Sequence, residues 1–265
     1  FWFPLFYESV EETRWFYDQI KEDIEKKLSQ KKPALKLLMA VGVGPVYWFS
    51  KQEVKAAADL KKQKIFVWAG DPVGTETWKD QGFNPVPLSM TDLASSLKTG
   101  MVEAFSNLPV YTSALQLHHD AKYMLRLEWS FIMVGVFIRS DKFAKISKED
   151  QDVIWKAMAK SRKDLERKTK FDGEKTLSAM ADDGLKIHKP SSEELEGWVS
   201  EADRIIPTFK GKLIPKGIYE KFMALKKKSP YAKKKKEKEV LNKAPAKKTI
   251  KSKSIEDKSK KIKKG

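Results

Sequence analysis

Residues 82–105, GFNPVPLSMTDLASSLKTGMVEAF, contain the most informative pattern of this 265-residue chain. Pro85-Val86-Pro87-Leu88 predicts an extended segment, because a proline disfavours the helical conformation in the residue before it. Thr91 to Leu97 predicts a short helix, and Thr99-Gly100 supplies the stop that a glycine gives at a helix C-terminus. Val102 to Phe105 predicts another strand. A strand, a helix and a strand in this order are typical of an α/β fold.

The preceding residues, ADLKKQKIFVWAGD at 58–71, predict a second strand of the same sheet. A short polar turn at Ala57-Asp59-Leu60 leads into Lys64–Trp68, which is rich in β-branched and aromatic residues and is closed by Ala69-Gly70-Asp71-Pro72. Phe66 and Trp68 alternate with Ile65 and Val67 along this strand. The two aromatic rings should therefore lie on one face of it.

Further towards the N-terminus, Glu8 to Gln30 predicts an amphipathic helix with Ser9 as its N-cap. Ala34 to Val43 is an apolar run that indicates a buried strand. The sequence Gly42-Val43-Gly44 at its end suggests a tight loop, and Tyr47 to Ser50 suggests a second short strand.

The remaining elements continue the alternation of helices and strands. The predicted segments are helices at Gly74–Gln81 and Val110–His119, a strand at Phe131–Ile138, a long helix from Ser147 to Met180, a strand at Gly184–His188 and a helix at Ser192–Ile206. This alternation predicts an α/β fold with largely parallel sheets.

Positive charge is concentrated at the C-terminus. Residues 226–265 hold 18 Lys and 4 acidic residues, a local charge of +14 out of a total of +17, so that the other 225 residues carry only +3. This Lys-rich tail has almost no apolar periodicity, which predicts disorder. It could remain a solvated segment, bind anionic lipid or bind nucleic acid without sequence preference.

The chain contains no cysteine, which excludes disulfides, thiolate metal sites and a cysteine nucleophile. No apolar run approaches the roughly 20 residues that span a bilayer. The sequence begins at Phe1, in the middle of an apolar pattern and without the features of a signal peptide. We therefore expect a further segment upstream of Phe1.

Three segments together resemble the TRAP-transporter solute-binding protein family. Residues 58–71 are similar to the entry into the second lobe of that family, 82–105 to its Gly-x-x-Pro-Val-Pro, short helix and Leu-x-Thr-Gly signature, and FIRSDKFAKISKEDQDVIWKA at 137–157 to the return into lobe one and the long helix. The similarity extends from about Phe6 to about Phe222. The family carries two or three more strand–helix units before this point. We find no match to them in this sequence, and therefore expect that the N-terminal part of lobe one is missing here.

The resemblance implies a two-lobe periplasmic-binding-protein-like α/β fold with a central cleft and a long crossing helix. It assigns residues 1–64 to part of lobe one, 65–125 to lobe two, 126–225 to return strands, the long helix and elements shared by both lobes, and 226–265 to the tail. The implied protein is a periplasmic receptor, either free or membrane-tethered, that closes around a small organic ligand and delivers it to a TRAP-type permease.

Many members of this family hold an organic acid through an Arg on the strand that enters lobe two, and Phe66 matches that position. Asn107 matches a second family position, from which its amide can bind a ligand. The substitution of Phe for Arg predicts a hydrophobic or amphipathic ligand in an aromatic cleft. The predicted ligand-binding residues are Gly44, Tyr47, Trp48, Phe66, Trp68, Phe105, Asn107, Leu108, Trp129 and Phe131.

Each of these residues also has a purely structural interpretation. Phe66 and Trp68 suit a core strand as well as a ligand wall, and Asn107 can cap a turn. Arg126 and Arg139 are the remaining candidates for contact with an anion, although a surface position suits both of them.

Enzymatic and metal-binding interpretations have little support. Gly42-Val43-Gly44 lacks the third glycine of a dinucleotide loop, and neither a nucleophile elbow nor a zinc-protease motif is present. His118 and His119 are adjacent and should point to different sides of a helix, which makes them a poor metal pair. We therefore predict no enzyme activity, no cofactor, no metal and no specific nucleic acid.

A rival function uses the tail instead of the cleft. In it, the chain binds an anionic surface or nucleic acid through residues 226–265. Deleting the tail separates the two hypotheses, because ligand affinity survives if the receptor interpretation is right and polyanion binding is lost if the rival is right.

Overall fold

The structure, a computed structural model, describes residues 3–231, except for the side chains of residues 169–172. Residues up to Ser229 belong to one compact unit, and the second unit is described only at Pro230 and Tyr231, which form a turn. The helices are α1 (Val10–Ser29), α2 (Ala57–Lys61), α3 (Pro72–Asp80), α4 (Leu93–Thr99), α5 (Pro109–Ala114), α6 (Ser140–Phe143), α7 (Lys148–Asp182), α8 (Ser192–Ile205) and α9 (Lys216–Lys228). The strands are β1 (Leu35–Ser50), β2 (Lys64–Trp68), β3 (Asn84–Leu88), β4 (Ala104–Asn107), β5 (Tyr123–Arg139) and β6 (Lys186–His188).

These strands form one mixed sheet in the order β3-β2-β4-β1-β5-β6. Strand β2 is parallel to β3 and β4, and β5 is parallel to β6. The long central strand β1 is antiparallel to both β4 and β5. The expectation of largely parallel sheets is therefore right for the outer strands and wrong for the centre.

The prediction of a loop at Gly42-Val43-Gly44 is wrong, because strand β1 continues through these residues. Its pairing with β5 runs from Leu35 opposite Arg139 to Ser50 opposite Tyr123, so the two short strands predicted here are one. The register shifts between Gly42 and Gly44, and Gly44 has φ +131°, a backbone conformation that glycine adopts readily. The glycines therefore form a bulge within the strand rather than its end.

Several predicted helix ends are confirmed. The Ser9 hydroxyl caps α1 by accepting a hydrogen bond from the Glu12 backbone N–H at 3.1 Å, and Ser147 caps α7 in the same way. Gly100 ends α4 in the left-handed conformation at φ +73°. The helix predicted over Val110–His119 is shorter: α5 ends at Ala114, and a 3₁₀ turn follows at Leu117–His119.

The two faces of the sheet bury separate hydrophobic clusters. Trp48 on β1 belongs to a first cluster, which includes Phe16 of α1, Trp198 of α8 and Phe222 of α9. Tyr47 and Phe49, its neighbours on β1, point into a second cluster with Leu97 of α4 and Met180 of α7. This alternation follows the period of two along a strand.

The predicted disorder from Lys226 onward is wrong for the first residues of the tail. Lys226 to Lys228 form the last turn of α9, a helix that is not among those predicted from the sequence. The Lys226 ammonium lies 3.0 Å and 3.1 Å from the two carboxylate oxygens of the fully buried Glu12, which ties this turn to α1. The rest of the predicted tail, 232–265, lies outside the described residues. Between residues 3 and 231, every helix is too short or too polar to cross a bilayer.

Candidate functional site

Two adjoining cavities open at the carboxyl ends of β2 and β4, with volumes of about 180 Å³ and about 380 Å³. Four residues line both of them: Phe66, Trp68, Asp71 and Ser106. Ligands of open α/β sheets bind at this end of the strands, where the loops and helix N-termini converge. The position of the cavities in the fold therefore makes them the candidate site.

The smaller cavity lies between β2, α3 and the residues that follow α8. Asp71 begins α3 by accepting a hydrogen bond from the Gly74 backbone N–H at 2.8 Å. The Trp78 ring of α3 packs edge to face on Trp48, with 6.0 Å between ring centroids. The other residues that line this cavity are Val67, Thr75, Thr77, Gln81, Ile205, Phe209, Leu213 and Ile214. Most of this wall is aromatic or aliphatic.

The larger cavity lies between β2, β4 and the middle of β5. Phe131, Ile132 and Met133 of β5 supply apolar surface, together with Met90 from the turn before α4. Ser130 and Asn107 provide hydroxyl and amide groups. This cavity therefore combines an apolar wall with a few polar groups, as is usual for sites that bind small organic molecules.

The rings of Phe66 and Trp68 form the partition between the two cavities. Their centroids are 5.8 Å apart at an interplanar angle of 65°, which confirms that they lie on one face of β2. Phe66 is buried, and it also packs in the second hydrophobic cluster. Trp68 is 47% exposed and therefore offers free aromatic surface.

Two buried N–H groups of the cavity walls have no hydrogen-bond partner among the described residues. They are Nδ2 of Asn107, a residue that is 6% exposed, and Nε1 of Trp48, which is 1% exposed. The Asn107 Oδ1 accepts a hydrogen bond from the Leu108 backbone N–H at 2.8 Å, so this side chain does hold the turn after β4. Its amide nitrogen remains available. An unpaired buried donor costs free energy, which a ligand acceptor can recover.

The two cavities contain no basic side chain among the residues that line them, and Asp71 is their one carboxylate. The two arginines considered for an anion contact are engaged elsewhere, at the surface. Arg126 donates to Glu174 at 2.8 Å, and Arg139 donates to both carboxylate oxygens of Asp141 at 3.0 Å and 2.8 Å. The hydrogen bond to Asp141 raises the pKa of Arg139. A ligand carboxylate would therefore meet no cationic partner in these walls.

Five of the ten predicted ligand-binding residues line a cavity: Trp48, Phe66, Trp68, Asn107 and Phe131. Tyr47 and Phe105 instead pack into the second hydrophobic cluster. Phe105 stacks on Phe49 at 5.4 Å between centroids. The Tyr47 hydroxyl donates to Glu128 at 3.5 Å, and burial followed by the Glu128 charge raises the pKa of Tyr47.

The other three predicted residues also lie away from both cavity walls. Trp129 packs in the first cluster with its ring 5.5 Å from that of Trp198, in an edge-to-face arrangement. Gly44 lies in the β1 bulge, where Leu108 Cδ2 would come within 3.4 Å of a Cβ atom at that position. The structure thus brings Gly44 and Leu108 together as a packing pair.

Residues from α3 and from the segment after α8 line the smaller cavity although the sequence analysis did not select them. Trp78 comes from α3 and Gln81 from its C-cap, and Ile205, Phe209 and Leu213 come from the end of α8 and beyond. The helices were predicted, but an apolar residue near a helix end is also the signal of ordinary core packing. Only the tertiary fold distinguishes the two uses.

The prediction for the directions of His118 and His119 is wrong. They were expected to point to different sides of a helix, but their ring centroids are only 4.3 Å apart. Gln116 has φ +53°, so the regular helix is interrupted before the 3₁₀ turn that carries both histidines. Their Nε2 atoms lie 3.0 Å (His118) and 3.5 Å (His119) from Oδ2 of Asp183 at the end of α7. Hydrogen bonding from His118 lowers the pKa of Asp183.

Comparison with known proteins places the chain in a family and supports its fold. Residues 1–212 match the family model of the bacterial extracellular solute-binding proteins, family 7 (DctP). A solute-binding protein of Roseobacter denitrificans is 24% identical over 142 residues, which cover 54% of this chain and 42% of that protein. The alignment thus spans less than half the length of this curated relative.

Solved structures share the fold at low sequence identity. The periplasmic ectoine-binding protein of the TeaABC TRAP transporter of Halomonas elongata has a TM-score of 0.76 and 19% identity, over 86% of this chain and 76% of that one. A TRAP periplasmic solute-binding protein of Shewanella oneidensis with bound succinate has a TM-score of 0.76 and 15% identity, over 84% and 72%. The expected two-lobe α/β fold is confirmed by this likeness. With four-fifths of its length matched by the family model, the chain belongs to family 7 of the bacterial extracellular solute-binding proteins.

Proposed function

We propose that this protein is a periplasmic receptor that captures a small apolar or amphipathic solute in the cavities at the ends of β2 and β4 and delivers it to a TRAP-type permease. The family match supports a binding protein rather than an enzyme. The two-lobe relatives of known structure support ligand capture between lobes. The nature of the solute follows from the walls of the cavities.

The observation that carries the proposal is the aromatic partition at Phe66 and Trp68 in walls without a cationic side chain. A carboxylate loses strong hydration when it enters a cavity, and the loss is offset only if charged or hydrogen-bonding partners replace the water. The family resemblance implies that Phe66 takes the position at which many members carry Arg, and the Asp71 carboxylate would repel a carboxylate of the solute. The same walls favour apolar surface, since aromatic side chains stabilise its burial.

The unpaired donors suggest which polar groups the solute carries. Asn107 Nδ2 and Trp48 Nε1 each provide an N–H without a partner among the described residues. Both can donate to an uncharged acceptor such as a carbonyl, ether or hydroxyl oxygen. A solute with an apolar body and one or two neutral acceptors satisfies both requirements.

The long ladder of β1 and β5 suggests how the cavities could close. Both strands extend well beyond the cavity residues Ser130–Met133, and β1 carries the Gly44 bulge opposite Ile132. In the predicted division, residues 1–64 and 65–125 belong to different lobes, so these strands would connect them. Closure around the solute would then be a hinge motion.

Relatives with the same fold bind chemically different solutes: one is named for ectoine, and another contains succinate. The fold alone therefore does not select a ligand. We assign the selection in this chain to the wall residues, and above all to Phe66.

The experiment compares hexanoate with hexanamide, which have the same carbon skeleton and differ in charge. Binding of each to the whole 265-residue chain is measured by titration calorimetry at pH 7 and two salt concentrations. We expect the amide to bind more tightly than the acid. A tighter complex with hexanoate, weakened by salt, would contradict the proposal.

A substitution at Phe66 tests whether this residue sets the preference between hexanamide and hexanoate. Phe66→Arg restores the cationic group of the resembling receptors, and the preference should reverse towards hexanoate because a guanidinium pairs with a carboxylate in a two-pronged geometry. Arg126→Gln, which removes a surface arginine that pairs with Glu174, serves as the control and should leave the preference unchanged. If Arg126→Gln loses the preference for hexanamide and Phe66→Arg keeps it, the selectivity lies elsewhere in the chain.

A further inference from the structure

The segment between α5 and β5 meets the C-terminal end of α7 through three side chains of types that can bind a metal, two of them adjacent in sequence and the third more than 60 residues away. They are His118, His119 and Asp183, and one donor atom from each lies within 4.8 Å of the other two. The distances to Oδ2 of Asp183 are 3.0 Å from His118 Nε2 and 3.5 Å from His119 Nε2. None of the three lines the solute cavities described above.

These distances match the geometry of a bound divalent ion. Zinc binds imidazole nitrogen and carboxylate oxygen at about 2.0–2.1 Å, and tetrahedral angles then place neighbouring ligand atoms about 3.3–3.4 Å apart. The distances of 3.0 Å and 3.5 Å lie on either side of this value. An ion can therefore enter with shifts of a few tenths of an ångström in these two pairs.

The surroundings of the three side chains also suit a metal. His118 is only 5% exposed, so its ring is held in place by the fold. His119 and Asp183 are about half exposed, which leaves an open side for the ion to enter and for water to complete its coordination. Two histidines and one carboxylate are a ligand set that favours a borderline ion such as Zn²⁺ over Mg²⁺ or Ca²⁺.

We propose that His118, His119 and Asp183 form a binding site for a divalent transition-metal ion of the Zn²⁺ type. The ion would replace the hydrogen bond between His118 and Asp183 by two metal bonds. It would thereby join the 3₁₀ turn at Leu117–His119 to the end of α7. The site would stabilise the fold without contacting the solute.

The position of the site explains what its occupation would stabilise. Leu177 and Met180, in the last turns of α7, are buried in the second hydrophobic cluster, and so is Leu117 in the 3₁₀ turn. The metal would fix both segments from the surface side of this cluster. A metal ion that binds the folded chain and not the unfolded chain raises the unfolding temperature as its concentration increases.

The test measures Zn²⁺ binding to the whole chain, prepared without a polyhistidine tag, by titration calorimetry, and repeats it with Co²⁺ by visible absorption. We expect one ion per chain and the intense absorption of a tetrahedral cobalt site. His119→Asn and Asp183→Asn change half-exposed side chains, so both variants should fold. Each should weaken Zn²⁺ binding by more than about tenfold, since even groups that only support a ligand affect affinity by about 10–100-fold.

His188→Asn is the matched control, because it removes the third histidine of the chain from its contacts with Glu194 and Glu53 and leaves the proposed site intact. It should bind Zn²⁺ as the unmodified chain does. The proposal is overturned if the unmodified chain does not bind Zn²⁺, if the His119 and Asp183 variants bind it unchanged, or if the control loses it equally. Thermal unfolding of each variant without metal separates a folding defect from a binding defect.

Discussion

Replacing Trp68 by Ala should weaken solute binding by about tenfold. A tryptophan side chain buries up to about 250 Å² when fully covered, and Trp68 is 47% exposed in the unliganded chain, which leaves roughly 100 Å² for a solute to cover. At about 25 cal/mol per Å², complete coverage would contribute about 2.5 kcal/mol. A solute that covers about half of this surface gains about 1.3 kcal/mol, close to tenfold in affinity.

The assay is titration of hexanamide into Trp68→Ala and into Trp155→Ala. Trp155 is the matched control because it is 38% exposed, lies on α7 and lines neither cavity. The control should keep the affinity of the unmodified chain. Equal affinities of the two variants, with both folded by circular dichroism, would refute the assignment of the solute to these cavities.

Two further predictions concern the fold. Glu12 is fully buried and accepts hydrogen bonds from the Lys226 ammonium and, at 2.6 Å, from the Ser229 hydroxyl. Glu12→Ala should lower the free energy of unfolding, measured by urea titration, by about 3 kcal/mol, because it leaves the partly buried ammonium of Lys226 without its carboxylate. An unchanged urea midpoint would show that this ion pair contributes nothing net. Burial raises the pKa of Tyr47, so the unfolded chain loses this proton near pH 10 while the folded chain keeps it, and the stability that Tyr47 contributes is lost as the pH rises further. Tyr47→Phe should therefore make stability fall less steeply above about pH 10 than in the unmodified chain, and identical slopes would contradict the burial argument.

Elements with strong local signals were predictable from the sequence. Strand β2 agrees in both bounds with the predicted Lys64–Trp68, because it is a short β-rich run between a polar turn and a Gly-Asp-Pro sequence. Gly100 ends α4 as expected, since its left-handed conformation is a local preference of glycine. Neither feature depends on a distant partner.

Strand β1 was not predictable in the same way. Gly42 and Gly44 favour a turn locally, and the long pairing with β5 outweighs that preference. The partner strand is about 90 residues away in sequence, so no local sequence pattern indicates that β1 pairs with β5. The histidine pair is a similar case, because the direction of both rings depends on an interrupted helix and on Asp183 of α7.

The candidate site was predictable where one strand supplies it. Alternation along β2 was sufficient to place Phe66 and Trp68 together. Phe105 and Trp129, which were selected from the family resemblance, instead lie in hydrophobic clusters, because an aromatic residue on a strand faces a core as readily as a ligand. Phe209 and Leu213 became wall residues only through the packing of α8 and the following turn against α3.

The nature of the solute is tested most directly by native mass spectrometry of the gently purified 265-residue chain, followed by identification of any molecule released from it. We expect one uncharged or amphipathic molecule per chain, with an apolar body and neutral oxygen acceptors, and we expect Trp68→Ala to retain less of it than Trp155→Ala. A small dicarboxylate released in the same proportion would show that Phe66 and its neighbours do not select against organic acids.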